Sequence, residues 1–122
     1  MSLRVLAVDD SRTMRDMLRL ALIDAGMETH LAEDGVHGLE VLDGLDRPDA
    51  IITDINMPRM DGFGFINAVR AREEHRATPI LVLTTESAAE MKARARQAGA
   101  TGWIVKPFDP LKLVKALRMV AG

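Results

Sequence analysis

The chain has 122 residues, a formal net charge of −2 and no cysteine. That length suits one domain with a core that needs no disulfide or metal staple, and so small a charge sets up no field to draw it onto nucleic acid or an anionic membrane. Hydrophobic residues make up 48% and charged residues 28%, an ordinary globular balance. Met1-Ser2-Leu3-Arg4 lacks the apolar stretch of a signal peptide, and no apolar run reaches the length of a membrane span. A cytoplasmic monomer is the expectation, with most of the eight methionines filling irregular core space.

Leu3 to Val8 is a compact apolar run broken by Arg4 and ends at Asp9-Asp10, which reads as a buried strand. Ser11 or Thr13 then caps a helix carrying Met14, Met17, Leu18, Ala21, Leu22 and Ala25 at helical spacing, with Gly26 as its C-terminal glycine. Thr29 to Ala32 is a weaker second strand, and Asp34-Gly35 opens a helix through about Leu42. Ala50 to Thr53 is a third strand ending on Asp54. Ile55 to Gly62 is a loop punctuated by Pro58 and Asp61-Gly62, and a helix through about Glu73 comes next. Pro79 precedes a fourth strand, Ile80 to Leu83. Ala88 to Ala98 is an alanine-rich helix closed by Gly99. Trp103 to Val105 is a fifth strand ending at Lys106-Pro107. Leu113, Val114, Leu117, Val120 and Ala121 line one face of a last helix.

Five strands alternating with five helices imply βαβ crossovers and a parallel sheet covered on both faces. The strands are almost continuously apolar, as such burial requires. Ligands of an open α/β sheet bind outside the carboxyl ends of its strands. Asp9 and Asp10 follow the first strand, Asp54 the third, Thr84 the fourth and Lys106 the fifth. Taken singly, each has a plain structural use: aspartates cap helices and fill turns, and most lysines are solvated. Together they converge on one edge of the sheet, which is a site.

Three like charges in one pocket repel, and two about 4 Å apart cost about 4 kcal/mol at an effective dielectric of 20. A divalent cation removes that cost. Oxygen ligands without His or Cys suit Mg²⁺, which commonly bridges to phosphate. An aspartate beside it acts as a nucleophile toward phosphorus and forms an acyl phosphate. Lys106 supplies charge to one phosphoryl oxygen, and the Thr84 hydroxyl donates to another.

The ordered set Val8-Asp9-Asp10, Thr13-Met14-Arg15, Thr53-Asp54, Asn56-Met57-Pro58, Met60-Asp61-Gly62, Leu83-Thr84 with Glu86, Gly99-Ala100, and Gly102 with Val105-Lys106-Pro107-Phe108 spans essentially the whole chain. It closely resembles the receiver-domain family of two-component response regulators, above all its single-domain chemotaxis members. The resemblance implies a flavodoxin-like (βα)5 doubly wound sheet of strand order 2-1-3-4-5, as one receiver domain over residues 1–122 without an effector domain. It implies Asp54 as phosphoacceptor. Asp10, Asp54 and the backbone carbonyl of Asn56 would hold Mg²⁺, with Asp9 assisting through water. Thr84 and Lys106 would contact the phosphoryl group, and the Lys106-Pro107 bond would be cis. A histidine kinase would be the donor. A flagellar switch protein and a phosphatase are the further partners implied, and the protein would not be an enzyme in its own right. Asn56 and Glu86 would set the lifetime of the phosphoryl group, and this pair resembles fast-cycling members.

Trp103 departs from the Tyr or Phe found at this switch position, whose ring turns inward on activation. Indole is larger, and its N–H needs a partner when buried. The implied output face is the fourth helix, fifth strand and fifth helix. The two helices of that face carry Lys92, Arg94, Arg96, Lys112, Lys115 and Arg118, read mainly as solvated. A phosphate sink or phosphorelay intermediate uses the same pocket as a motor-binding protein. Three other classes fit less well. A flavin protein needs a phosphate-cradling loop where Asp9-Asp10 stand, and aromatic walls from a chain with 3% aromatics. An aspartate-nucleophile, Mg²⁺-dependent phosphohydrolase needs a second aspartate where Asn56 stands. A transcription factor needs a helix-turn-helix that this sequence lacks.

Overall fold

The computed structural model describes residues 2–122. In chain order the elements are β1 (Arg4–Val8), α1 (Arg12–Asp24), β2 (Glu28–Ala32), α2 (Gly35–Asp43), β3 (Ala50–Thr53), α3 (Gly62–Ala71), β4 (Ile80–Thr84), α4 (Ala89–Ala98), β5 (Gly102–Val105) and α5 (Pro110–Ala121). The strands form one parallel sheet in the order β2-β1-β3-β4-β5, as the family resemblance implies.

Alternation along the strands sends successive side chains to opposite faces. Leu6, Val8, Ile51, Ile80 and Val82 face Leu42 of α2, Phe65, Ile66 and Val69 of α3, and Ala95 of α4. Val5, Ala7, Ile52, Leu81 and Leu83 face Leu18 and Leu22 of α1 with Leu113 and Leu117 of α5. Each of these leucines, wholly buried, contributes about 1.5–3 kcal/mol by leaving water. The sheet is therefore a rigid slab, and its carboxyl edge is the place where β1, β3, β4 and β5 deliver polar residues together.

Polar side chains set where the helices begin. Ser11, not Thr13, caps α1 by accepting from the Met14 N–H at 3.2 Å. Asp34 caps α2, Asp61 caps α3, and Asp109 caps α5 ahead of Pro110 in its first turn. α4 starts without a side-chain cap, at Ala88. Gly26 (φ 76°) and Gly99 (φ 112°) take the left-handed conformation that closes α1 and α4.

Several boundaries differ by a residue or two from the sequence reading, and two of the shifts have a visible cause. β2 starts at Glu28 because its N–H donates to the Leu3 carbonyl at 2.8 Å. α3 stops at Ala71, two residues early: Arg72 turns extended (φ −81°, ψ 120°), and its guanidinium pairs with Asp43 at 2.9 Å. A separate 3₁₀ turn, Glu73–His75, then leads toward β4. Among the described residues, no helix is long and apolar enough to cross a membrane.

Candidate functional site

Asp9 leaves β1 with its N–H bound to the Ala32 carbonyl at 3.0 Å. Its Oδ1 accepts from the Ser11 N–H at 2.9 Å, and its carbonyl accepts from Arg15 at 2.8 Å. The side chain is thus aimed by β1, β2 and the first turn of α1, and it is buried, whereas Asp10 beside it is exposed. Asp54 is placed in the same way. Its N–H donates to the Val8 carbonyl at 3.0 Å, and its Oδ1 accepts from the Ile55 N–H at 2.6 Å. Gly62 packs against this turn so closely that a Cβ there would lie 2.3 Å from the Asp54 carbonyl oxygen.

Lys106 follows β5, its N–H on the Thr84 carbonyl at 2.8 Å, and joins Pro107 through the expected cis bond. Its Nζ donates to Asp9 Oδ2 at 2.8 Å and to Asp54 Oδ2 at 2.7 Å. The lysine expected to meet a phosphoryl oxygen therefore bridges two carboxylates here, a second role that residue type and spacing did not signal. Thr84 is wholly buried, its hydroxyl 3.4 Å from the Glu86 N–H that points to it.

Glu86 gathers the remaining residues. Its Oε1 accepts from Asn56 Nδ2 at 3.1 Å, and its carbonyl accepts from the indole N–H of Trp103 at 3.0 Å. The half-buried Trp103 thus finds the partner its N–H requires, and it packs against the core layer that contains Ala95. One loop residue, Glu86, thus joins Asn56 to Trp103, a connection that spacing alone did not show.

Burial pushes the Asp9 carboxyl above its ordinary range, although the Lys106 hydrogen bond pulls it down. Burial also pulls Lys106 down, but its bonds to Asp54 and Asp9 outweigh that and hold it above the usual lysine value. These two shifts act oppositely on one ion pair. Lys106 decides it, because one ammonium faces two carboxylates at 2.8 and 2.7 Å. The site carries a charged lysine.

Carboxylate oxygens of Asp9, Asp10 and Asp54 lie within 4.8 Å of one another. An all-oxygen donor set with neither His nor Cys fits Mg²⁺, and in this structure the Lys106 ammonium supplies countercharge to two of the three carboxylates, Asp9 and Asp54.

Residues 5–118 match the response regulator receiver domain. Chemotaxis protein CheY1 of Helicobacter pylori is 40% identical over 121 residues, covering 98% of each chain. Response regulator MprA of Mycobacterium ulcerans is 39% identical over 118 residues, and the chain spans 50% of that relative's length. The structure of chemotaxis protein CheY4 of Vibrio cholerae superimposes with a TM-score of 0.93 at 48% identity, covering 98% of this chain and 99% of that one. The receiver domain of a sensor histidine kinase from Pseudomonas aeruginosa superimposes at 0.91 with 27% identity, over 100% of this chain and 99% of that one, and its active-site cleft coordinates a magnesium ion. With a match from residue 5 to residue 118 on a sheet of this order, the chain belongs to the response regulator receiver-domain family.

Proposed function

We propose that the chain is a phosphorylation switch that takes a phosphoryl group from a phosphohistidine onto Asp54. The observation that carries this reading is the Lys106 ammonium held between Asp54 and Asp9 at 2.7 and 2.8 Å at the carboxyl edge of the sheet. Asp54 Oδ2 forms the new O–P bond as the P–N bond of the donor breaks, and the departing imidazole keeps its electron pair and takes a proton. Asp10, Asp54 and the Asn56 carbonyl are the residues that would hold Mg²⁺, with Asp9 acting through water. The ion supplies charge to neutralise phosphoryl oxygens. Lys106 then exchanges its carboxylate partners for a phosphoryl oxygen, and the Thr84 hydroxyl donates to another.

That exchange makes the switch. The phosphoryl group brings about −1.5 to −2 charges. Contacts made only to it bias one conformation over the other, and charge-assisted bonds of about 1.5–3 kcal/mol each suffice for a roughly 5.5 kcal/mol shift. Glu86 lies between the acceptor loop, through Asn56, and β5, through Trp103, which supports the α4-β5-α5 face as the output surface. The Asn56–Glu86 pair supports a short-lived acyl phosphate. Identities of 40% and 48% to two chemotaxis proteins favour chemotaxis and motor control as the setting.

The test is phosphotransfer from a labelled histidine kinase, followed by capture on a flagellar switch protein. Label that decays within minutes, with capture only of the labelled form, supports the whole reading. Label without capture leaves a phosphate sink or phosphorelay intermediate. No label from any donor refutes the switch.

A further inference from the structure

The loop between β3 and α3 holds a backbone conformation that nothing in the sequence announces. Among the described residues, Arg59 is the one non-glycine residue with a positive φ, 63°. The Met60 N–H donates to the Pro58 carbonyl at 2.7 Å, closing a tight three-residue turn around it. Such a conformation persists only where the surroundings impose it, and strained residues of this kind gather at functional sites.

The surroundings that impose it lie on the loop before α2. Arg59 Nε and a terminal nitrogen donate to the two oxygens of Asp34 at 2.8 and 3.1 Å. The Asp34 side chain is 5% exposed and also caps α2 by accepting from the His37 N–H at 2.9 Å. A buried carboxylate pinned by its own helix is a fixed anchor, and a planar guanidinium reads both of its oxygens in one orientation. The Gly35 N–H adds a bond to the Met60 carbonyl at 3.2 Å, and a Cβ on Gly35 would come within 2.7 Å of that oxygen. The two loops are therefore seated on each other without slack.

Between this anchor and the phosphoacceptor lie only Ile55, Asn56, Met57 and Pro58. The first is fixed by its N–H on Asp54 Oδ1 at 2.6 Å. A segment this short, held at both ends, has its middle set by those ends, and Asn56 is in the middle. We propose that Arg59 is a positioning residue of the acceptor site: its pair with Asp34 holds the strained turn that orients Asn56, and so sets the carbonyl offered to Mg²⁺ and the side chain offered to Glu86. This rests on the phosphoacceptor reading of the pocket.

The structure also contains the control. Arg72 pairs with Asp43 through the same two-pronged contact, at 2.9 and 3.1 Å, and likewise ties α2 to the α3 side of the molecule. It lies outside the acceptor loop. A merely structural role predicts that breaking either pair has the same consequence.

The experiment measures Mg²⁺ binding by calorimetry on the full chain without phosphodonor, together with amide exchange at Gly35 and Met60 in chelator. Arg59→Ala and Asp34→Asn, the latter keeping a cap oxygen for α2, are each expected to weaken Mg²⁺ binding about tenfold or more, as loss of an outer partner of a metal ligand does. They should also speed exchange at Met60. The double variant should be no worse than either single one, Arg59→Lys should fall between, and Arg72→Ala should match wild type. Arg59→Ala and Asp34→Asn that bind Mg²⁺ as wild type does, while Asp54 still accepts phosphoryl groups, overturn the positioning role alone. Arg72→Ala losing as much affinity as Arg59→Ala overturns it too. A wild type that binds no Mg²⁺ and accepts no phosphoryl group overturns the pocket reading, and this inference with it.

Discussion

Replacing Lys106 by methionine removes the cation that bridges Asp9 and Asp54 while keeping most of the side-chain volume. The three side chains are 10%, 2% and 10% exposed, so water screens these charges little. Two hydrogen bonds to charged groups are lost, each worth about 1.5–3 kcal/mol. The carboxylates, no more than 4.8 Å apart, then repel each other; at an effective dielectric of 20 that is at least about 3.5 kcal/mol. Removing one side of a buried pair costs about 3–5 kcal/mol in general. Since these contributions overlap, the expected loss at pH 8 in chelator is about 3–5 kcal/mol, and the urea midpoint should fall by roughly 1.5–2.5 M for a slope near 2 kcal/mol/M.

Two dependences identify the cause. Without Lys106 the Asp9 carboxyl, already raised by burial, rises further. A raised acid binds its proton in the folded state after the unfolded state has released it, so the variant loses stability as pH climbs through that folded value. Its deficit should therefore be smaller at pH 5 than at pH 8. Millimolar Mg²⁺ should recover part of the deficit by supplying the missing charge. In the wild type, the raised Lys106 contributes in full below its ordinary 10.5, and that contribution is lost as pH passes up through the folded value; the variant has no such alkaline loss. A variant as stable as wild type in chelator, or a deficit indifferent to both pH and Mg²⁺, would mean that Lys106 does not hold the two carboxylates together.

Gly62→Ala drives a Cβ to 2.3 Å from the Asp54 carbonyl oxygen and 2.7 Å from Ile55 Cα, so the acceptor turn must move; the expected outcome is a stability loss of at least about 1–3 kcal/mol together with failed phosphorylation, read by urea titration and intact mass. Arg70 donates to the Gly99 carbonyl at 3.1 and 2.8 Å and to the His75 carbonyl at 2.7 Å. Arg70→Ala should cost about 2–3 kcal/mol and should loosen the C-terminal end of α4 in amide exchange. Burial holds His75 below its ordinary 6.5. The unfolded chain therefore takes up the proton first, and the stability that the neutral ring provides is full above 6.5 and lost as pH falls toward the folded value. His75→Gln should flatten that slope between pH 7.5 and 5.5. Trp103→Phe keeps a ring but drops the bond to the Glu86 carbonyl; it should cost about 0.5–1.5 kcal/mol and should shift the decay rate of the phosphorylated form.

Local features were the legible ones. Apolar runs ending on Asp9 and Asp54 announced buried strands, and together with the run ending at Lys106, whose strand β5 is only partly covered, they announced the edge where the chemistry meets. The strand order came from the family resemblance, because the pairings in this sheet are made between strands that no short turn connects. Pairings of side chains distant in sequence were not legible. Lys106 meets Asp9 across 97 positions, Arg72 meets Asp43 across 29, and Arg59 meets Asp34 across 25. The early end of α3 at Ala71 belongs with these, since it is the reach of Arg72 toward Asp43 that accompanies the break. Likewise, a positive φ at an arginine has no signature in residue type, and the glycine packed near it, Gly35, gives it away only once Met60 is seen against it. Trp103 was legible as a departure from the Tyr or Phe that the family resemblance implies, but its partner, a backbone carbonyl, was not.

Everything proposed for this pocket depends on Asp54 carrying the phosphoryl group with the help of Lys106 and a divalent cation. Intact mass after incubation with Mg²⁺ and acetyl phosphate reads this directly, with hydroxylamine treatment, chelator and Asp54→Asn alongside. One hydroxylamine-labile phosphoryl adduct is expected on the wild type, abolished by chelator and absent from Asp54→Asn. An adduct that persists in Asp54→Asn, or none on the wild type with any small donor, would contradict the assignment of Asp54 as acceptor.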